Sequence, residues 1–341
     1  MDSLNKADQI AESPVGILLV GGRGTRLAPL TDLAPKPMLP VGGVPFTLHQ
    51  ILQAKAAGIK HIVLATSYLA EVFEPFFGDG SRFGLQISYA VEKDALGTGG
   101  GIRNAAKFLA ASSHAPVVIF NGDVLSAHDL TAQIQFHRAR DADLTLYLTK
   151  VKDARAYGVV PTDSDLWVTD FLEKMENPIT DQINAGCYVF KRSVIDQIPE
   201  GQVVSVERET FPTLLKSGRR VQGFIDGSYW RDLGTPAALI AASADLLQGV
   251  INSPATVECN SPTGVGFIDN SAIVSENSLV NEGSVVLAGA VIEDGCVISG
   301  SIVGQAAQIR AGVKIKGAFI APGSIITPSN SIGEILGFAA K

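Results

Sequence analysis

Three classes of protein are poorly served by this 341-residue chain, because what each needs is scarce in it. Cysteine is one shortage: Cys187, Cys259 and Cys296 are widely scattered, matching neither a disulfide framework nor zinc-ligand spacing. They read as free thiols in a reducing cytoplasm, the expected location. Long apolar runs are another, since nothing approaches the roughly 18 consecutive residues of a membrane span. The opening Met1–Ile10 is polar and mixed in charge, without a signal-peptide core, and residues 1–14 are expected to be a flexible tail. Basic excess is the third: the net charge is −7, against the basic surface that a nucleic-acid partner demands. Histidine is also sparse, with five in all and none after His137. At this length more than one core is expected, and two domains are read.

Against the acidic background, positive charge gathers in one place. Between Val15 and Thr47, Arg23, Arg26 and Lys36 face only Asp32. The same stretch opens with an apolar run, Val15–Val20, that reads as a buried strand. It empties into Gly21, Gly22 and Gly24. Such glycines let a backbone approach a polyphosphate closely, and fixed cations neutralise what the N–H groups do not. A Walker loop is excluded, because G-x-x-x-x-G-K-[ST] is absent. A dinucleotide fingerprint is weak, because Leu27 stands where its third glycine belongs. A plain tight turn remains the alternative, although a turn has no need of Arg26 and Lys36.

Strand-like and helix-like segments alternate through the first two-thirds. The expected strands are Lys60–Thr66, Gln86–Ala90 and Pro116–Phe120. The expected helices are Phe46–Ala57, Leu69–Phe77 and Gly101–Ala111. This alternation predicts a parallel sheet covered on both faces, with ligands beyond the carboxyl ends of its strands. Gly21 and Asp123 follow directly after strands and would lie on that rim. From Leu144 the strands crowd (Leu144–Val151, Gly158–Pro161, Trp167–Phe171, Asn184–Phe190). They suggest a mixed extension laid over the sheet, before a helix at Pro236–Leu247.

Past about Val250 a period of six appears. Phe267, Ile273, Leu279, Val285, Val291, Val297, Val303, Ile309 and Ile315 stand at six-residue steps. A second apolar column, Ile268, Val274, Val280, Val286, Ile292 and Ile298, runs beside it until Gly304. Neither a helix nor a lone strand has that period; a prism-like coil of six-residue strands does. Residues after Ser331 are read as a short closing helix. In acyltransferases such coils carry a catalytic histidine, which this part of the chain lacks. Packing against the rest of the chain or another subunit is therefore the reading, with effector binding left open.

The motifs together resemble those of the sugar-1-phosphate nucleotidyltransferases. Gly21-Gly-Arg-Gly-Thr-Arg-Leu-Ala-Pro-Leu-Thr31 with Pro35-Lys-Pro37 looks like the family signature. Leu96-Gly-Thr-Gly99, Asn121-Gly-Asp123, Tyr157-Gly-Val159, Phe171-Leu-Glu-Lys174, Asn184-Ala-Gly186 and Trp230–Pro236 follow in the family's order. Gln182–Gly186, Ser205–Glu209 and the hexads are most similar to the mannose-1-phosphate guanylyltransferases, especially bacterial ones. The family's usual proline after Glu-Lys is Met175 here.

That resemblance implies a Rossmann-like, mostly parallel α/β nucleotidyltransferase domain over 15–250. A left-handed parallel β-helix of hexapeptide repeats over 251–330 and a segment 331–341 would follow. It implies attack of a sugar 1-phosphate on the α-phosphorus of a nucleoside triphosphate, releasing pyrophosphate. GTP and mannose 1-phosphate are the expected substrates, with thymidylyl, uridylyl or adenylyl transfer to glucose 1-phosphate as alternatives. A non-catalytic nucleotide-sugar-binding regulator is a further alternative. Arg26 and Lys36 would neutralise the triphosphate, and Asp123 and Asp232 would hold Mg²⁺. Leu19, Gly21, Gly22, Gly24, Thr25, Leu96, Gly97 and Thr98 would surround the nucleotide. Gly158, Glu173, Lys174 and Asn184 would take the sugar phosphate. Arg26, Lys36, Lys174 and Asp123 are the expected catalytic set. A phosphate monoester, with its second pKa near 6, is already anionic and needs no general base. The expected assembly is a homo-oligomer.

Overall fold

The computed structural model describes residues 13–329 except Arg23, Leu33, Tyr68, Ala111 and Ser113, together with the strand Ile335–Leu336. All but two residues of the expected tail, and Arg23 of the loop, lie outside the described residues. The chain separates into two compact units. Unit one is Met1–Gly22 with Gln50–Trp230, and unit two is Arg23–His49 with Arg231–Lys341.

Unit one is built on a nine-stranded sheet. Its strands are β1 (Val15–Leu19), β2 (His61–Thr66), β3 (Gln86–Val91), β4 (Pro116–Asn121), β5 (Leu144–Lys150), β6 (Gly158–Val159), β7 (Leu172–Glu173), β8 (Gln182–Lys191) and β9 (Val221–Ile225). The order along the main path is β7-β6-β8-β4-β1-β2-β3, with β5 on β8 and β9 on β5. Strands β4, β1, β2 and β3 are parallel, with Leu19 opposite both Ala65 and Asn121. The apolar runs of β4, β1 and β2 are buried except at the strand end Leu19, as a sheet covered on both faces requires, whereas the edge strand β3 is partly exposed. Strand β8 then runs antiparallel to both β4 and β5. The crowded strands after Leu144 thus continue the same sheet edge to edge instead of lying over it.

Two local expectations are corrected. Over Trp167–Phe171 the chain makes only single bridges, at Trp167 and Val168, and the strand starts at Leu172. The Asp163 carboxylate accepts the N–H groups of Asp165 and Trp167, a turn that competes with ladder pairing. The helix expected from Gly101 starts at Gly97 instead, inside the glycine run. The helices used below are α1 (Phe46–Ala56), α2 (Gly97–Ala106), α3 (Leu130–Ala139), α4 (Phe211–Lys216) and α5 (Pro236–Leu247).

In unit two, three short parallel sheets make the coil. The strands Gly266–Ile268, Ser284–Val286, Ile302–Val303, Phe319–Ile320 and Ile335–Leu336 form one, and the other two stack likewise. The piece of the expected closing helix that is described, Ile335–Leu336, is therefore a fifth rung. The inward column is Val280, Val286, Ile292, Ile298, Val303, Ile309, Ile315, Ile320 and Ile326, all buried. Each inward aliphatic contributes roughly 1.5–3 kcal/mol of burial. The nine-step column seen in the sequence is not one structural column. Val285 pairs with Ile302 and Val297 with Lys314, so one coil has 18 residues and the next 17. The first turn passes its corner through Glu282 and Gly283, both at positive φ; later turns use Gly300 or Gly317 alone. Dropping one residue moves Val303, Ile309 and Ile315 from the outer column into the core.

Candidate active site

At the carboxyl edge of the sheet in unit one, the ends of β1 and β4 meet. Gly122 donates its N–H to Leu19 O at 3.0 Å. A Cβ on Gly122 would stand 2.3 Å from that same oxygen, so the close approach excludes any side chain. Asp123 follows one residue after that contact, at the carboxyl end of β4, the rim where the sequence puts it. A buried glutamine, unnoticed in the sequence, brackets the turn: Gln50 of α1 donates from Nε2 to Asn121 O (2.8 Å) and Val124 O (3.2 Å). Nothing local in the sequence marks it, because Thr47 and His49 on the same helix are polar and buried as well. Gly21 O accepts the Ser67 hydroxyl at 2.7 Å. Around Gly22 a Cβ would meet nothing within 4 Å.

The second glycine run, Gly97–Gly101, has a different cause. Segment 202–206 crosses it so closely that Val204 O accepts the N–H of Gly99 at 2.8 Å. Thr98 accepts the N–H of Val206 (2.8 Å) and donates to Glu207 (2.8 Å). Ser205 and Glu209 form a capping box, with the Arg208 N–H on Ser205 Oγ and the Ser205 N–H on Glu209. Ahead of the run, Glu92 accepts the Leu96 N–H at 3.0 Å. Burial holds that carboxyl above its ordinary range, with the Leu96 bond opposing.

The expected sugar-side residues gather on three neighbouring strands. Gly158 of β6 pairs with Glu173 of β7, and Ile183 of β8 pairs with Val159. A Cβ on Gly158 would come 2.8 Å from the Phe171 ring and 2.9 Å from Glu173 Oε2. Lys174 has positive φ (53°), and its N–H bonds to Tyr157 O. Its ammonium lies 3.6 Å from Glu173 Oε1 and is largely exposed, an ion pair of little energetic weight. Tyr157 meets Trp230 edge to face, and the Trp230 indole donates to Ala185 O at 3.0 Å. Asn184 bonds through both ends of its amide, to Tyr188 (2.9 Å) and to the Gly186 N–H (3.1 Å).

Unit two holds the cationic loop. Gly24 (φ 61°) precedes a single 3-10 turn, Thr25–Leu27, and its carbonyl accepts the Thr31 hydroxyl at 3.2 Å. A Cβ there would stand 2.9 Å from Lys36 Cβ, so the glycine is what lets Lys36 close on the loop. Lys36 is buried, whereas Thr25 and Arg26 are exposed. The Arg26 guanidinium and Asp232 Oδ1 both lie against Gly234, within 2.9 Å and 2.5 Å of where its Cβ would be. Asp232 Oδ1 accepts the Gly234 N–H at 2.7 Å, so this carboxylate also holds its own turn. The loop is anchored by Gly42 N–H on Ser243 of α5 (3.0 Å) and by His49 on Ser253 (2.7 Å).

Residues 15–249 match the model of the nucleotidyl transferase family, "Nucleotidyl transferase". The chain belongs to that family. Among curated relatives, mannose-1-phosphate guanylyltransferase of Mycobacterium tuberculosis is 56% identical over 240 residues, 70% of this chain and 66% of that protein. Mannose-1-phosphate guanyltransferase of Gibberella zeae is 34% identical over 272 residues, 77% of this chain and 73% of that protein. The chain thus spans just under two thirds of the mycobacterial relative. Among solved structures, HddC from Yersinia pseudotuberculosis has a TM-score of 0.58 at 27% identity, covering 67% of this chain and 97% of that one. A putative glucose-1-phosphate thymidylyltransferase from Bacillus anthracis (TM-score 0.62, 24% identity, 70% and 97% covered) shares the fold. None of this chain's described helices is long and apolar enough to cross a membrane.

Proposed function

We propose that the chain transfers the guanylyl group of GTP to mannose 1-phosphate, giving GDP-mannose and pyrophosphate. The observation that carries the reading is the 56% identity, over 240 residues, to a mannose-1-phosphate guanylyltransferase. The chemistry needs charge neutralisation and alignment of attacker and leaving group. In this reading Arg26 and Lys36 take the triphosphate and departing pyrophosphate. Leu19, Gly21, Gly22, Gly24, Thr25, Leu96, Gly97 and Thr98 surround the nucleotide. Gly158, Glu173 and Asn184 orient the sugar, and Lys174 holds its phosphate.

Mg²⁺ is the proposed cofactor, with Asp123 and Asp232 as carboxylate donors. Among the described residues no cluster of three or more His, Cys, Asp or Glu side chains could hold a metal. Mg²⁺ keeps waters and takes phosphate oxygens beside one or two carboxylates, the donor set proposed here. When bound, it would supply positive charge against the phosphate oxygens. A homo-oligomer in the cytoplasm completes the proposal.

The test is a pyrophosphate-release assay crossing GTP, dTTP, UTP and ATP with mannose and glucose 1-phosphates. Turnover confined to GTP with mannose 1-phosphate is expected. Turnover only with dTTP and glucose 1-phosphate would overturn the assignment of base and sugar.

A further inference from the structure

A buried phenol on β8 joins the amides of two asparagines that lie far apart in the chain. Tyr188 is fully buried. Its ring packs edge to face on Phe211 of α4, with centroids 5.1 Å apart. Asn184 Nδ2 lies 2.9 Å from the phenol oxygen and Asn121 Nδ2 lies 3.1 Å from it. Asn184 belongs to the proposed sugar side, and Asn121 is the last residue of β4, immediately before Gly122 and Asp123.

Hydrogen-bond inventory gives this chain a direction. The backbone N–H of Gly186, which can only donate, lies 3.1 Å from Asn184 Oδ1. That fixes Asn184 with its oxygen toward Gly186 and its NH₂ toward Tyr188. The phenol then accepts from Asn184 and has one proton to give. Asn121 Oδ1 is buried and has no partner among the described residues. Exchanging the two ends of the Asn121 amide, which have nearly the same shape, lets that oxygen accept the phenol proton. The sequence of donors becomes Asn184 N–H to Tyr188 oxygen, then Tyr188 O–H to Asn121 Oδ1. Burial holds the phenol well above the ordinary tyrosine range, so the proton stays available at any physiological pH.

We propose that Tyr188 is a positioning residue for the sugar 1-phosphate: it locks the Asn184 amide in one orientation, leaving that side chain one N–H and one lone pair for sugar hydroxyls. A locked amide offers donor and acceptor at fixed places, whereas a freely turning one offers either at either place. Discrimination between epimeric sugars depends on that difference, because an epimer moves a hydroxyl between the two places. This inference rests on the proposed sugar-binding role of Asn184.

Tyr188→Phe keeps the ring on Phe211 and removes only the oxygen. The KM for mannose 1-phosphate is expected to rise about tenfold, the scale of one lost hydrogen bond, with the GTP KM unchanged. The preference for mannose over glucose 1-phosphate should fall by a similar factor, which a merely structural loss would not produce. Asn184→Ala serves as the reference. If it raises the sugar-phosphate KM while Tyr188→Phe leaves KM and preference unchanged, the inference is overturned and the sugar reading stands. If Asn184→Ala itself leaves both unchanged, the reading beneath falls and the inference with it. Should Tyr188→Phe not fold, Asn121→Ala removes the far acceptor with Tyr188 in place. A smaller shift of the same two quantities supports the lock, and no shift overturns it.

Discussion

Gly22 and the run Gly97–Gly101 look alike on paper and have opposite surroundings. Along Gly97–Gly101, the protein itself occupies the space a side chain would need. A Cβ on Gly97 would stand 2.6 Å from Val204 O, and one on Gly100 would stand 2.5 Å from Gln202 O. At Gly22 there is open space instead. Small residues in the run let segment 202–206 close over the helix. At Gly22 no contact among the described residues demands a glycine, which fits the nucleotide role proposed for it. Both fall in motifs proposed to surround the nucleotide, so the motif alone does not say which glycines would face substrate.

Stability and binding should therefore separate Gly22 from the run. Gly97→Ala meets a backbone oxygen and must hold φ at +71°, so a loss of roughly 3–5 kcal/mol is expected in urea unfolding. A loss below 1 kcal/mol would mean that segment 202–206 gives way, and the packing account would break.

The next effect sets the conditions for the comparison. His128 and His137 bond to Gln133 and Thr145, and burial is the first cause that lowers each pKa from 6.5 to about 4. The unfolded chain binds protons that these folded imidazoles refuse. Their stabilisation is full above pH 6.5 and is lost as pH falls from there toward 4. At about 1.4 kcal/mol per unit, the loss is on the order of 3 kcal/mol for each. Glycine variants should be compared above pH 7, and a flat unfolding profile between pH 7 and 5 would show that one or both imidazoles charge freely.

Thr98→Val removes one hydroxyl with two bonds, to Val206 N–H and Glu207, and should cost about 2 kcal/mol. A GTP KM that rises with stability unchanged would give Thr98 to the ligand instead. The smallest stability effect belongs to Gly22→Ala, within about 0.5 kcal/mol, while its GTP KM rises about tenfold as a methyl intrudes where a polyphosphate approaches. Equal stability and equal KM would leave that glycine without a role.

The sequence made the parallel strands and their rim legible, because buried β strands read as continuous apolar runs. It also showed the coil, because six-residue spacing has no other source. The residue dropped at Gly300 was hidden by the two adjacent apolar columns: when the rung slips, the other column takes its place and the count by six continues to Ile315, where the drop at Gly317 ends it. At the site, glycines, cations and carboxylates carried a signal through type and order. Gln50 and Tyr188 did not. A buried amide and a buried phenol act through bonds to residues 71 and 67 positions away, and nothing local in the chain reports those partners.

The central claim is attack by the sugar phosphate on the α-phosphorus of GTP. GTP radiolabelled at either the α or the γ phosphorus, incubated with mannose 1-phosphate and Mg²⁺, tests it directly. The account predicts α label in GDP-mannose and γ label in pyrophosphate. Label from the γ position in the sugar product, or no nucleotide sugar at all, would contradict it.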